Sequence, residues 1–141
     1  MSLDEFDHLL VKDYVSWKVQ LYSNQAYLGR CVIVYKGNKQ DLADTTQQEF
    51  LELHKVINDL KSALVKAFSP IMFNYICNGN QEPVLHVHLF PRYAHPVIFN
   101  NVVFTDMNWE KNPYPYDSDF IITNELKSLI IKNIKEKLQV F

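Results

Sequence analysis

Two histidines one residue apart, His86 and His88, are the residues best suited to chemistry. They lie in the segment Val-Leu-His-Val-His-Leu-Phe-Pro-Arg of residues 84–92. Alternate side chains of a β-strand point to the same face, so a strand here would place the imidazoles side by side, about 6–7 Å apart at Cα. The residues that alternate with them, Leu85, Val87 and Leu89, would face a core. Neighbouring imidazoles on a strand suit metal ligation, nucleophilic catalysis or hydrogen bonding to an anion.

Other interpretations of this spacing stay open from the residues alone. One His-x-His dipeptide is also compatible with an incidental pair on a solvated strand face. A metal site needs a third ligand, which only His8, His54 or His95 would supply, since no cysteine pair lies nearby. We interpret His54, beside the apolar face of a predicted helix, as a boundary or core residue. A metal is therefore not predicted.

Composition restricts the ways in which this chain can bind phosphate and the partners that it suits. The 141 residues include three glycines, too few for a Walker loop or a dinucleotide-binding fingerprint. The 14 basic and 16 acidic residues leave a net charge of −2, which argues against duplex nucleic acid and anionic membranes but not against free nucleotides. With no signal-peptide pattern, and with Cys31 and Cys77 in apolar runs, we expect a cytoplasmic protein with buried thiols.

Hydrophobic patterning predicts the strands of a single domain over residues 1–141. Alternation over 15–22 places Val15, Trp17, Val19 and Leu21 on one buried face. The other predicted strands cover 29–35, which we expect to be central, 71–77, 84–90, and 97–105 folded as a hairpin at Asn100-Asn101.

Three segments are predicted to be helical. A capping box from Thr46 to Glu49 begins a long helix that ends at Ser69-Pro70. Its apolar positions are Phe50, Leu53, Ile57, Leu60, Leu64 and Ala67. A terminal helix begins near Asn124, and a short helix is predicted over 4–13. Together these elements predict an α+β fold, an antiparallel sheet with helices on one face.

The run from Asn78 to Arg92 resembles the histidine-triad (HIT) superfamily of nucleotide hydrolases and transferases. The likeness covers about residues 15–95, including the turn at 24–30 and the helix entrance at 41–49. It implies a five-stranded antiparallel sheet with one long central helix and a C-terminal helix. It also implies a homodimer formed through the long helix and a sheet edge.

The family pattern has three alternating histidines, often followed by Pro-Arg. Alignment on Pro91-Arg92 places these positions at Val84, His86 and His88. By resemblance, His86 is the nucleophile, and His88 hydrogen-bonds the phosphate and the leaving group. Val84 replaces the first histidine, but its backbone carbonyl can still hold the Nδ1–H of His86. Gln40 replaces a further histidine of the family.

The resemblance also implies the ligand and the activity. Asn74, Asn80, Val84 and Arg92 are predicted to bind a purine nucleotide, Asn80 at the place of a phosphate-contacting glutamine. The predicted activity is that of a nucleotide phosphoramidase or dinucleoside polyphosphate hydrolase with a covalent nucleotidyl-histidine intermediate. No cofactor is required, although Mg²⁺ can accompany a polyphosphate. The alternatives are a nucleotide-binding module without turnover and, less favoured, a metal-dependent hydrolase.

Two features of the predicted site depend on its surroundings. With an unperturbed histidine pKa of about 6.5, we expect neutral His86 and partly protonated His88 near neutral pH. The loop at 109–119 either covers the site or forms a plain surface. The aromatic side chains that could stack a base or fill the core are Trp17, Tyr22, Tyr27 and Phe73.

Overall fold

The structure is a computed structural model that describes residues 8–80 and 83–138. A five-stranded antiparallel sheet in the order β1-β2-β3-β5-β4 is joined by a separate hairpin of β6 and β7. The elements in chain order are β1 Leu10–Asp13, β2 Trp17–Leu21, β3 Cys31–Tyr35, α1 Gln47–Phe68, β4 Met72–Ile76, β5 His86–Arg92, β6 Val97–Phe99, β7 Val102–Phe104 and α2 Asn124–Leu138. The predicted fold class is confirmed.

The central strand, β3, is buried along its whole length, as its β-branched sequence predicts. It pairs with β2 on one side and with β5 on the other, where Val32 lies opposite His88 and Val34 opposite His86. Residues at paired positions share a face of the sheet. These valines therefore lie on the same face as the two histidines, and Ile33 lies on the other face in the core.

The helices cover the core face of this sheet. Both hydrogen bonds of the Thr46–Glu49 capping box are present, and α1 ends where Ser69 adopts a left-handed backbone with φ of 57°. The buried side chains of α1 are Leu53, Val56, Leu60, Ala63, Leu64 and Phe68. Phe50 was predicted to be buried but is 49% exposed, because it lies at the edge of this stripe in the first turn. The second helix, α2, packs against α1.

Of the helix predicted over 4–13, residues 8–9 have 3₁₀ geometry, but the prediction is wrong from residue 10 onward. Residues 10–13 form β1, which pairs with β2 at the edge of the sheet, and residues 1–7 lie outside the described part. This pairing buries Val11, so a tertiary contact overrides the local pattern. Val15 then falls in the connection between β1 and β2 and is 86% exposed.

The hairpin predicted at Asn100-Asn101 is confirmed. Both residues have positive φ, 51° and 66°, as a tight two-residue hairpin turn requires. It forms its own two-stranded sheet, so the fifth strand of the main sheet is β1.

The cysteines and the apolar character of the helices are two further features of the fold. Both cysteines are free; Cys31 is buried as expected, but Cys77 is exposed, because it follows the last residue of edge strand β4. No helix within the described ranges has the length and apolar character needed to cross a membrane.

Candidate functional site

Strand β5 presents both histidines on the sheet face opposite the helices. Leu85, Val87 and Leu89 are buried in the core, as the alternation predicts. The imidazole centroids of His86 and His88 lie 5.0 Å apart, with their planes inclined by 80°. The rings are thus close enough to act on one substrate atom and its substituents.

The ring of His86 is held by the backbone of Val84. Its Nδ1 lies 2.6 Å from the Val84 carbonyl oxygen, which can only accept a hydrogen bond. Nδ1 therefore carries the proton, and in the neutral ring Nε2 keeps its lone pair. The backbone carbonyl of Val84 thus supplies the acceptor that was expected for the Nδ1–H of His86.

The ring of His88 has the opposite arrangement. Its Nδ1 lies 3.2 Å from Nη2 of Arg30, and a guanidinium can only donate. Nδ1 of His88 is therefore the acceptor, and in the neutral ring Nε2 carries the proton. The site thus combines an imidazole with a free Nε2 and an imidazole with an Nε2–H.

His88 is neutral near physiological pH. Burial, the positive charge of Arg30 and the electrostatic interaction with His86 together lower the pKa of His88 to about 3, and burial is the largest of these causes. The expectation of a partly protonated His88 is therefore wrong. It assumed an unperturbed imidazole, whereas this ring is largely removed from water and lies beside a cation.

Arg30 occupies an aromatic enclosure beside His88. Only 1% of Arg30 is exposed. Its guanidinium carbon lies 3.7 Å from the ring centroid of Tyr22 and 4.1 Å from that of Phe90. Tyr116 and Tyr114 lie further out, at 4.8 and 5.9 Å. These tyrosines show that part of the 109–119 loop covers the Arg30 side of the site.

Sequence reasoning did not identify Arg30 as a functional residue. The segment 24–30 served only as the mark of a turn, although alternation along Val34, Val32 and Arg30 places the arginine on the histidine face. Of the four aromatic residues considered for base stacking, Tyr22 reaches this face, with its ring centroid 5.5 Å from that of His88. Trp17, Tyr27 and Phe73 pack in or against buried parts of the fold instead.

Arg92, which was predicted to bind substrate, has every donor engaged by the protein. Its Nε and one Nη2–H donate to the carboxylate of Asp106, and Nη1 donates to Oδ1 of Asn74. Backbone carbonyls of Lys111 and Asn108 accept the two remaining N–H groups. In the structure, Arg92 and Asn74 thus hold the 106–111 segment against β5, and their role in substrate binding stays a prediction.

The remaining predicted residues lie at the start of β5. Val84 packs with Val32, Val34 and Tyr22, and these side chains form an apolar floor beside the imidazoles. A cavity of about 480 Å³ adjoins this floor. It is lined by Leu10, Asp13, Lys18, Val34, Tyr35, Lys36, Gly37 and Val84. Asn80 is exposed in the connection that leads to β5.

The other histidines do not complete a metal site. His8, His54 and His95 are all exposed, so His54 is not a core residue. Within residues 8–80 and 83–138, no three histidine, cysteine, aspartate or glutamate side chains are grouped as metal ligands.

Comparison with known proteins identifies the fold. Neither a family model nor a curated protein matches the sequence. Among solved structures, a histidine-triad protein from Sinorhizobium meliloti is 16% identical, with a TM-score of 0.78 over 97% of this chain and 96% of its own. A histidine-triad protein from Bradyrhizobium japonicum is 16% identical, with a TM-score of 0.77 over 98% and 97% of the two chains. This chain has the histidine-triad fold.

The histidine-triad fold is shared with enzymes of known activity. A diadenosine triphosphate hydrolase from Plasmodium falciparum is 12% identical, with a TM-score of 0.66 over 95% of this chain and 78% of its own. Identities this low establish the fold, so the activity has to be argued from the site.

Proposed function

We propose that this protein is a nucleotide-binding member of the histidine-triad superfamily, and that it hydrolyses a nucleotide through a covalent nucleotidyl-His86 intermediate. The observation that carries the proposal is the pair of opposite tautomers on β5. Val84 leaves the Nε2 lone pair of His86 available, and Arg30 leaves an Nε2–H on His88. A nucleophile and a donor for the phosphoryl oxygens thus lie side by side.

The reaction proceeds by two displacements at the α-phosphorus. In the first, the Nε2 lone pair of His86 forms a P–N bond while the bond from phosphorus to the leaving oxygen breaks, its electron pair departing with the leaving group. In the second, water attacks phosphorus and the P–N bond breaks. The electron pair returns to Nε2, and the proton of the attacking water passes to solvent. His88 donates a hydrogen bond to the phosphoryl oxygens in both steps.

The neutral state of His88 favours one class of leaving group. A ring with a pKa of about 3 holds no extra proton near neutral pH, so it donates a hydrogen bond but is not a general acid. A phosphate chain leaves without a proton, whereas an amine needs one. We therefore favour dinucleoside polyphosphates over phosphoramidates, in accord with the activity of the Plasmodium falciparum protein. Mg²⁺ would enter bound to the phosphate chain.

The cavity at the start of β5 suits the nucleoside. Its volume of about 480 Å³ falls within the range of small-molecule sites, and Val34 and Val84 give it apolar walls next to His86. A purine placed against these walls would direct its α-phosphate toward the imidazoles. Lys18, on the rim, adds a positive charge near the ribose and phosphate.

The decisive experiment is acid quench of the protein with diadenosine triphosphate, followed by mass spectrometry of peptides containing residues 84–92. We expect an adenylyl group on His86. His86→Ala should lose at least about a thousandfold in kcat, since it lacks the nucleophile. His54→Ala, which removes an exposed histidine from α1, is the matched control and should retain full activity.

Two outcomes would contradict this function. Turnover by His86→Ala at the wild-type rate would exclude the covalent mechanism. Calorimetric binding of the nucleotide without adduct or turnover would instead identify a nucleotide-binding module.

A further inference from the structure

Arg30 is an unusual buried cation. Its Nε and Nη1 atoms are enclosed and have no hydrogen-bond partner among the described residues. The acceptors of its Nη2 are Nδ1 of His88 at 3.2 Å and, more distantly, the hydroxyl of Tyr114 at 3.4 Å. Neither acceptor is a carboxylate. A buried arginine is ordinarily paired with an anion, so the burial of the Arg30 charge needs a different explanation.

Aromatic faces compensate for part of this charge. The guanidinium lies between the rings of Tyr22 and Phe90, at 3.7 and 4.1 Å from their centroids. Cation–π contacts of this kind are strong where water is excluded. They also fix the guanidinium plane, so that one N–H edge points at the His88 ring.

We propose that Arg30 is a positioning residue for His88, whose Nδ1 it holds as an acceptor so that the Nε2–H faces the substrate. This inference deepens the proposed function and rests on it for its catalytic consequence. The titratable groups facing His88 include His86 on its own strand, Arg30 before β3 and Tyr22 after β2. Arg30 is the group whose hydrogen bond to Nδ1 of His88 fixes the tautomer of the ring.

The assignment explains why the two adjacent imidazoles differ. Nδ1 of His86 donates to the Val84 carbonyl, whereas Nδ1 of His88 accepts from Arg30. Without the Arg30 donor, the Nδ1–H form of His88 becomes available, and its Nε2 would turn a lone pair toward the phosphoryl oxygens. That form repels the substrate's charge instead of stabilising it.

The test is ¹⁵N–¹H correlation spectroscopy of the imidazoles in the full chain, without nucleotide. In the wild type we expect His88 as the Nε2–H form and His86 as the Nδ1–H form. Arg30→Met keeps the bulk of the side chain but removes the donor, and should give His88 a readily detected Nδ1–H population. With diadenosine triphosphate, the same variant should lose about 10- to 100-fold in kcat.

Lys12→Met is the matched control. It removes a cation that lies 4.8 Å from the ring centroid of Tyr14, away from the histidines, and should leave both tautomers unchanged. If His88 keeps its Nε2–H form in Arg30→Met, the proposal is overturned. An Nδ1–H form of His88 in the wild type would also overturn it, and this measurement does not require the variant to fold. Expected tautomers without any nucleotidyl adduct would refute the proposed function alone.

Discussion

His88 makes the stability of the folded protein depend on pH. Its pKa is about 3 in the fold and about 6.5 in an unfolded chain, so between these values the unfolded chain binds more protons. The free energy of unfolding therefore falls as the pH drops from about 6.5 toward 3, by at most about 1.4 kcal/mol per pH unit. Urea denaturation at about pH 7 and about pH 5 measures this slope.

His88→Asn should remove this part of the slope, whereas His54→Asn, on an exposed histidine, should keep it. If wild type and His88→Asn lose stability equally on acidification, His88 is not held neutral by the fold.

The two histidines also show what can be predicted at the scale of a residue. The acceptor for His86 lies two positions before it, just ahead of β5, so local spacing and resemblance together were sufficient to predict it. The donor to His88 lies 58 positions away, and tyrosines of a distant loop help to bury it. The neutral state of His88 depends on these non-local contacts, which no local pattern reports.

At the scale of elements, the Arg92–Asp106 ion pair joins β5 to the loop that covers the site. Both side chains are buried, and Asp106 also accepts hydrogen bonds from the backbone of Tyr93 and Asn108. Removing one partner of such a pair leaves an uncompensated buried charge. We expect Asp106→Leu to lower the free energy of unfolding by roughly 3–5 kcal/mol, measured by urea denaturation.

The controls separate charge from shape. Asp119→Leu, on an exposed carboxylate of the same loop, should cost much less. The double variant Arg92→Met with Asp106→Leu should cost less than the sum of the single changes, since no lone charge remains buried. Strict additivity would show that the two residues stabilise the loop independently.

Elements with local signals were predicted well. The Thr46–Glu49 capping box and the Asn100-Asn101 turn each specify their backbone within a few residues. Strand β1 was missed because it is defined by its pairing with β2, a contact that the local sequence does not reveal. The apolar residues of 4–13 fit a helix equally well. The contacts of Arg92 were missed for a similar reason. Its main partner, Asp106, follows the β6–β7 hairpin, so the sequence of β5 alone gives no sign of the ion pair.

At the scale of the molecule, the five-stranded sheet has two open edges within the described part of the chain, β1 and β4. Edge strand β4 pairs with β5 alone, and it exposes Met72 and Tyr75 with the neighbouring Ile71. Open apolar edges tend to pair with another strand. The resemblance predicts that a second copy of this chain supplies it, through the long helix and a sheet edge, and we retain this homodimer as a proposal.

We expect the protein to sediment as a dimer, because two β4 strands related by a twofold axis can continue the sheet across both copies. Tyr75→Lys would place charges from both copies close to the axis, where like charges repel. It should weaken the dimer at least about tenfold, as measured by analytical ultracentrifugation over a range of concentrations. Ile98→Lys adds the same charge on β6, at a residue 71% exposed, and should leave the dimer intact. A wild-type monomer, or equal dissociation of both variants, would show that β4 is not the interface.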